Sequence, residues 1–196
     1  MKLCFASNNE HKLTEIRRAV GKEIQLLSLN DIKCFDELPE TRDTLEGNSL
    51  QKAEYVFSHY NIPCFADDTG LEVEALQGAP GVFSARYAGA QRNSEDNINL
   101  LLQNLTAETN RRAQFRTVIT LVGLTPEPCF FEGIIRGDII NERRGTAGFG
   151  YDPVFVPHGH TRTFAEMSLD EKNQMSHRAR AVNKLIDYLT NFRSTL

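Results

Sequence analysis

The sequence predicts an α/β protein whose β-sheet mixes parallel and antiparallel strands. Two observations carry this. The chain opens as strand, polar turn and amphipathic helix: Leu3 to Ala6 is apolar, Ser7-Asn8-Asn9-Glu10-His11-Lys12 is polar, and Leu13, Ile16, Ala19 and Val20 share a helical face. Later, Ala113 to Leu124 and Cys129 to Ile140 read as two long strands joined by Thr125-Pro126-Glu127-Pro128, a hairpin. At 196 residues the chain fits a single domain, residues 1–196.

In order along the chain, Ser7, Asn8 and Asn9 are N-cap residue types, so free backbone N–H groups and the positive end of the helix dipole gather at the first turn. Lys12 adds a formal charge there, which suits an anion, although the glycines of a Walker A loop are missing. Glu23 to Leu29 reads as a second strand and Leu45 to Tyr60 as a helix with Ala53, Val56 and Phe57 inward. Asn48 and Lys52, four apart, share a helical face that spacing alone assigns to solvent. Cys64-Phe65-Ala66 is a short buried strand, Gly70 permits a turn, and Leu71, Val73 and Ala75 alternate with Glu72 and Glu74 as a half-exposed strand. Ser94 can cap a helix that turns Ile98, Leu101, Leu102 and Leu105 inward. Ser168 and Glu171 have capping-box spacing, and Ser176 can cap a last helix with Ala179, Val182, Leu185, Ile186 and Leu189 as its core stripe.

Composition narrows the function. Acidic residues outnumber Lys and Arg by 26 to 22, a formal net charge of −4, so no sequence-wide basic field attracts nucleic acid. Cys4, Cys34, Cys64 and Cys129 lie far apart without paired spacing, which speaks against a zinc site or a disulfide framework and for reduced thiols. The N-terminus turns polar at Asn8, too early for a signal peptide's apolar core, and no run approaches the ~18 apolar residues that span a bilayer. The expected location is cytoplasmic, without a membrane partner.

The chemistry concentrates at Asp67-Asp68, two carboxylates at the end of an apolar run. Such a pair is costly to bury unless a cation or hydrogen-bond donors meet it, and a divalent metal is one such cation. The other reading is an Asp-Thr-Gly turn capping its own backbone. Gly148-Phe149-Gly150-Tyr151-Asp152 is a glycine-rich aromatic loop that can bring a ring against a flat ligand or bury Phe149 in the core. His177 and Arg178 open the last helix, where cations oppose the dipole unless an anion or carbonyl oxygen is near.

Together, Ala6 to Lys12, Ala66 to Leu71, Pro80 to Tyr87, Gly148 to Pro153 and Ser176-His177-Arg178 resemble the noncanonical purine nucleoside triphosphate pyrophosphatases, the inosine triphosphate pyrophosphatase or RdgB-like family. The resemblance runs from near residue 5 to near residue 180. It implies an elongated mixed sheet flanked by helices, with two lobes and a central nucleotide cleft. It also implies hydrolysis of ITP, dITP or XTP to the monophosphate and pyrophosphate, with Mg2+, by a cytoplasmic homodimer.

Carried over by position, Ser7, Asn8, Asn9, Glu10, His11 and Lys12 hold the phosphates with Lys52, and Thr69 binds substrate. Glu40 and Asp68 ligate magnesium, and Asp68 is also the proton acceptor, with Asp67 second as an orienting group. Phe149, Gly150, Tyr151, Asp152, Lys172, His177 and Arg178 hold base and sugar. Thr69 stands where Ser is commoner, and Gly47-Asn48-Ser49 where Glu-Asn-Ala is frequent, which leaves the acidic ring one carboxylate short.

Overall fold

The structure, a computed structural model, describes residues 1–20 and 24–194. Its strands are β1 (Lys2–Phe5), β2 (Gln25–Leu27), β3 (Cys64–Val73), β4 (Pro80–Gly81), β5 (Arg112–Val122), β6 (Cys129–Ile139) and β7 (Phe155–Pro157). Five α-helices are described: α1 (Glu10–Val20), α2 (Leu45–Tyr60), α3 (Ser94–Asn104), α4 (Leu169–Met175) and α5 (His177–Ser194). The sheet runs β2-β1-β3-β5-β6-β7, with β4 on β3. β1 pairs parallel with β2 and β3, whereas β3/β4 and β6/β7 are antiparallel, so the sheet is mixed. The chain divides into two compact units, one of Met1–Asp68, Thr117–Gly133 and Arg178–Leu196, the other of Thr69–Arg116 and Ile134–His177.

In the first unit β1 and the start of β3 are buried on both faces, and their period-two alternation decides what each face holds. Leu3, Phe5 and Phe65 point to one side, where they pack with Leu13 and Ile16 of α1 and Val182 and Leu185 of α5. Phe5 and Phe65, register partners, pack with their rings tilted and centroids 5.1 Å apart. Cys4, Ala6, Cys64 and Ala66 point to the other side, against Ala53 and Val56 of α2. Small residues there let α2 lie close to the strands. In the second unit Leu71, Val73, Ile98, Leu101, Phe115, Ile135, Phe155 and Phe164 form one apolar cluster.

Three details depart from the expected elements. β3 is one continuous strand, so Gly70 is no turn. It makes room for β4: a Cβ at Gly70 would lie 2.5 Å from the Gly81 carbonyl oxygen. Helix α3 is capped by Asn93, whose side chain accepts from Asp96 N at 3.0 Å, and Ser94 is its first helical residue. The second strand is short, Gln25–Leu27; Glu23 of the expected segment lies outside the described residues.

Candidate active site

Alternation along β3 sends its two carboxylates to different helices. Asp67 shares the parity of Phe65 and reaches α1 and α5, while Asp68 shares the parity of Ala66 and reaches α2. Asp67 is wholly buried. Its Oδ1 accepts from Lys12 Nζ at 3.1 Å and its Oδ2 from Arg178 Nε at 3.1 Å. Arg178 also donates through Nη1 to Glu15, a buried acid of α1. Burial pushes the Asp67 carboxyl up, but Lys12, Arg178 and Lys52 outweigh it and hold the group well below the usual carboxylate range. Asp67 is therefore an anion at every working pH.

Asp68 lies in a different field. Its Oδ2 accepts from Asn48 Nδ2 at 3.1 Å, and Lys52 Nζ lies 3.9 Å from its Oδ1. Burial raises its carboxyl above the ordinary value against the pull of Lys52 and Lys12, and nearby Glu40 adds to the rise. Lys52 Nζ also donates to Glu40 Oε1 at 2.6 Å and to the Asp67 main-chain carbonyl at 2.7 Å. Burial pulls this ammonium down, but Asp68, Glu40 and Asp67 prevail and raise it. One ammonium thus gathers two carboxylates, the preceding loop and β3.

The face of α2 assigned to solvent is in fact interior, with Asn48 and Lys52 only 1% and 3% exposed. Apolar periodicity cannot tell a wet helical face from a buried one made of polar groups. The same helix holds the chain beside Glu40 through Asn48 and Gln51, which accept from Arg42 N and Thr41 N at 2.9 and 3.0 Å.

The Ser7–Lys12 turn is mostly exposed and is built as its residue types suggest. Asn9 Oδ1 accepts from Lys12 N at 3.1 Å, which caps α1, and Ser7 Oγ accepts from Asn9 N at 3.2 Å. Asn8 faces the following loop, donating to the Asp36 carbonyl and accepting from Leu38 N. Glu10 and His11 are exposed in the first turn of α1.

In the second unit, Asp152 organises the aromatic loop. Its Oδ2 accepts from Phe149 N at 2.9 Å and from Lys172 Nζ at 2.6 Å. The ammonium lies 4.9 Å from the Phe149 ring centroid and 5.4 Å from that of Phe164. Gly148 and Gly150 adopt φ of 75° and 60°, which glycine takes without strain. Tyr151 is anchored by its hydroxyl to the Ser84 carbonyl at 2.9 Å, and buried His177 stacks on Phe115 with centroids 4.7 Å apart. Thr69 is half-buried in β3.

The geometry therefore groups Lys12, Glu40, Lys52, Asp68 and Arg178 within the first unit, and Phe149, Asp152 and Lys172 within the second. Arg178 is committed to Asp67 and Glu15. Two site residues were not read from the sequence as such: Glu15, whose partner lies 163 positions away, and Asn48.

Residues 3–188 match the Ham1 family model. The chain belongs to the Ham1 family. Among its relatives, a dITP/XTP pyrophosphatase of Flavobacterium johnsoniae is 54% identical over 97% of this chain and 98% of its own length. One of the same description from Porphyromonas gingivalis is 55% identical over 96% and 97%. The solved Staphylococcus aureus Ham1 protein superposes with a TM-score of 0.88 at 37% identity, covering 97% of this chain and 99% of its own. A Mycobacterium abscessus nucleoside-triphosphatase / dITP/XTP pyrophosphatase gives 0.76 at 41% identity, covering 94% and 98%. This Ham1 chain thus shares its mixed sheet and flanking helices with solved relatives.

Among the described residues of this Ham1 protein, no three His, Cys, Asp or Glu side chains gather as a ready-made metal cage. Glu40 and Asp68, both held by Lys52, nonetheless fit magnesium, which takes one or two carboxylates and completes its shell with water and phosphate oxygens. An all-protein cage is not what that ion requires.

Proposed function

We propose that this Ham1-family chain hydrolyses noncanonical purine nucleoside triphosphates, ITP, dITP and XTP, to the monophosphate and pyrophosphate, clearing them from the nucleotide pool. The observation that carries the reading is Asp68: a buried carboxylate oriented by Asn48 and sharing the Lys52 ammonium with Glu40. The dITP/XTP pyrophosphatase description of relatives more than half identical to the chain supports the substrate class.

Attack at the α-phosphorus asks the protein mainly to position groups and neutralise charge. Lys12 keeps donors beyond the one given to Asp67, since an ammonium has three. With Lys52 and the backbone N–H groups of the Ser7–Lys12 turn, it meets the phosphates. Asp68 orients the attacking water and takes its proton. Glu40 and Asp68 would hold magnesium, which would supply charge neutralisation on the phosphate oxygens.

For the base, Lys172 holds an ammonium over the Phe149 ring. Hypoxanthine and xanthine offer an oxygen at position 6 that such a donor can meet, whereas adenine offers an amino group and strands the cation. Thr69, Gly150, Tyr151 and His177 complete the base and sugar contacts in this reading. The enzyme acts as a cytoplasmic homodimer.

Pyrophosphate release from ITP, dITP and XTP, set against GTP and ATP with and without magnesium, tests reaction, cofactor and base choice together. Equal turnover of ATP, or full activity in excess EDTA, contradicts the proposal.

A further inference from the structure

We propose that Asn48 is a positioning residue for hydrolysis: its side-chain amide fixes which oxygen of Asp68 faces the reaction and how far that oxygen stands from Glu40. The inference rests on the reading of Asp68 as the reactive carboxylate. Asn48 is 1% exposed and spends both ends of its amide. Nδ2 donates to Asp68 Oδ2 at 3.1 Å, and Oδ1 accepts from Arg42 N at 2.9 Å. Asp68 Oδ2 is thereby engaged by a fixed donor, and Oδ1, 3.9 Å from Lys52 Nζ, is the oxygen turned toward the charged groups.

The second contact makes Asn48 more than a local prop. Three successive residues are held by one face of α2: Glu40 by Lys52, Thr41 by Gln51 and Arg42 by Asn48. Of those three helix residues, Asn48 and Lys52 also touch Asp68. Lys52 does so as a long flexible cation, whereas Asn48 is short, planar and neutral, and it ties the carboxylate to the Glu40 loop without adding charge. A neutral donor can orient a carboxylate while leaving its full anionic charge available. Outer groups that orient a reactive or ligating side chain typically contribute about 10–100-fold to activity or affinity.

Asn48→Leu and Asn48→Ala both remove the donor to Asp68 without adding charge. Leucine keeps nearly the same volume, while alanine opens space beside the carboxylate. Gln51→Ala, which loosens the same loop without touching Asp68, is the control. Steady-state hydrolysis of dITP is measured together with calorimetric binding of a non-hydrolysable deoxyinosine triphosphate analogue.

Both Asn48 variants are expected to lower kcat about 10–100-fold while KM and analogue affinity stay within about two-fold of the parent. Gln51→Ala is expected to keep kcat. If Asn48→Ala does not fold, the leucine variant alone decides. Retained kcat in Asn48→Leu overturns the inference, as does a loss carried entirely by KM or an equal loss in Gln51→Ala. If the parent protein itself releases no pyrophosphate from dITP, the functional reading fails instead, which separates the two.

Discussion

Lys12 Nζ and Asp67 Oδ1 stand 3.1 Å apart, and the same carboxylate receives Arg178 through its other oxygen. Asp67 is the shared counter-ion of two cations on different helices, and this role explains why two acids follow one another at this point of β3.

Asp67→Asn removes the counter-ion that Lys12 and Arg178 share, and breaking a buried pair from one side costs about 3–5 kcal/mol. The pH dependence has a definite sign. The folded-state pKa of Asp67 is depressed, so its contribution is present above the unfolded value of about 3.9 and is lost as pH falls toward the folded one. Denaturant unfolding should show the variant clearly weaker at pH 7, with the gap narrowing below about pH 4.

Asp68→Asn has the opposite stability outlook. The Asp68 carboxyl is raised by burial, so its charge opposes folding, and a neutral isostere relieves that while leaving an oxygen for Asn48. The melting temperature is expected to hold or rise, while pyrophosphate release from dITP falls about 10²–10⁴-fold, the usual worth of a general base. A variant that keeps full turnover removes Asp68 from the chemistry.

Lys172→Met leaves the Phe149 and Phe164 rings in place and removes the donor above them. A charge-assisted hydrogen bond contributes about 1.5–3 kcal/mol, so the preference for dITP over dATP in kcat/KM should shrink about 10–100-fold. Competition kinetics read this directly, with circular dichroism checking that Asp152, left without its cation, has not unfolded the loop.

Gly70→Ala tests the continuous strand. Its new Cβ meets the Gly81 carbonyl oxygen and carbon at 2.5 and 2.8 Å, both backbone. Overpacking of this kind costs about 1–3 kcal/mol. A lower thermal midpoint is expected; an unchanged one means β4 yields freely.

Much of this was legible in the sequence because short-range rules decide it. The Ser7–Lys12 turn, α2, the Ser168 capping box and the hairpin pair β5 and β6 follow from cap chemistry and periodicity. Alternation along Phe65-Ala66-Asp67-Asp68 already meant that the two acids part company. What could not be read was who waits on each side. Glu15 sits next to Ile16 in a pattern of ordinary amphipathic spacing, and only tertiary packing brings Arg178 to it. Asn48 and Lys52 carry the composition of a solvated face because a buried polar surface uses the same residues. Gly70 looked like punctuation, since a glycine needed for close approach and one needed for a turn are the same letter.

The interior ledger of the first unit has a consequence for what the enzyme meets in solution. Glu15, Glu40, Asp67 and Asp68 face Lys12, Lys52 and Arg178, which leaves this grouping one negative charge in surplus. On the proposed function, that surplus repels a bare triphosphate tail, and a tail chelated by a divalent cation, still negative but by fewer charges, is repelled less. Selection would then begin with charge, before any contact to the base.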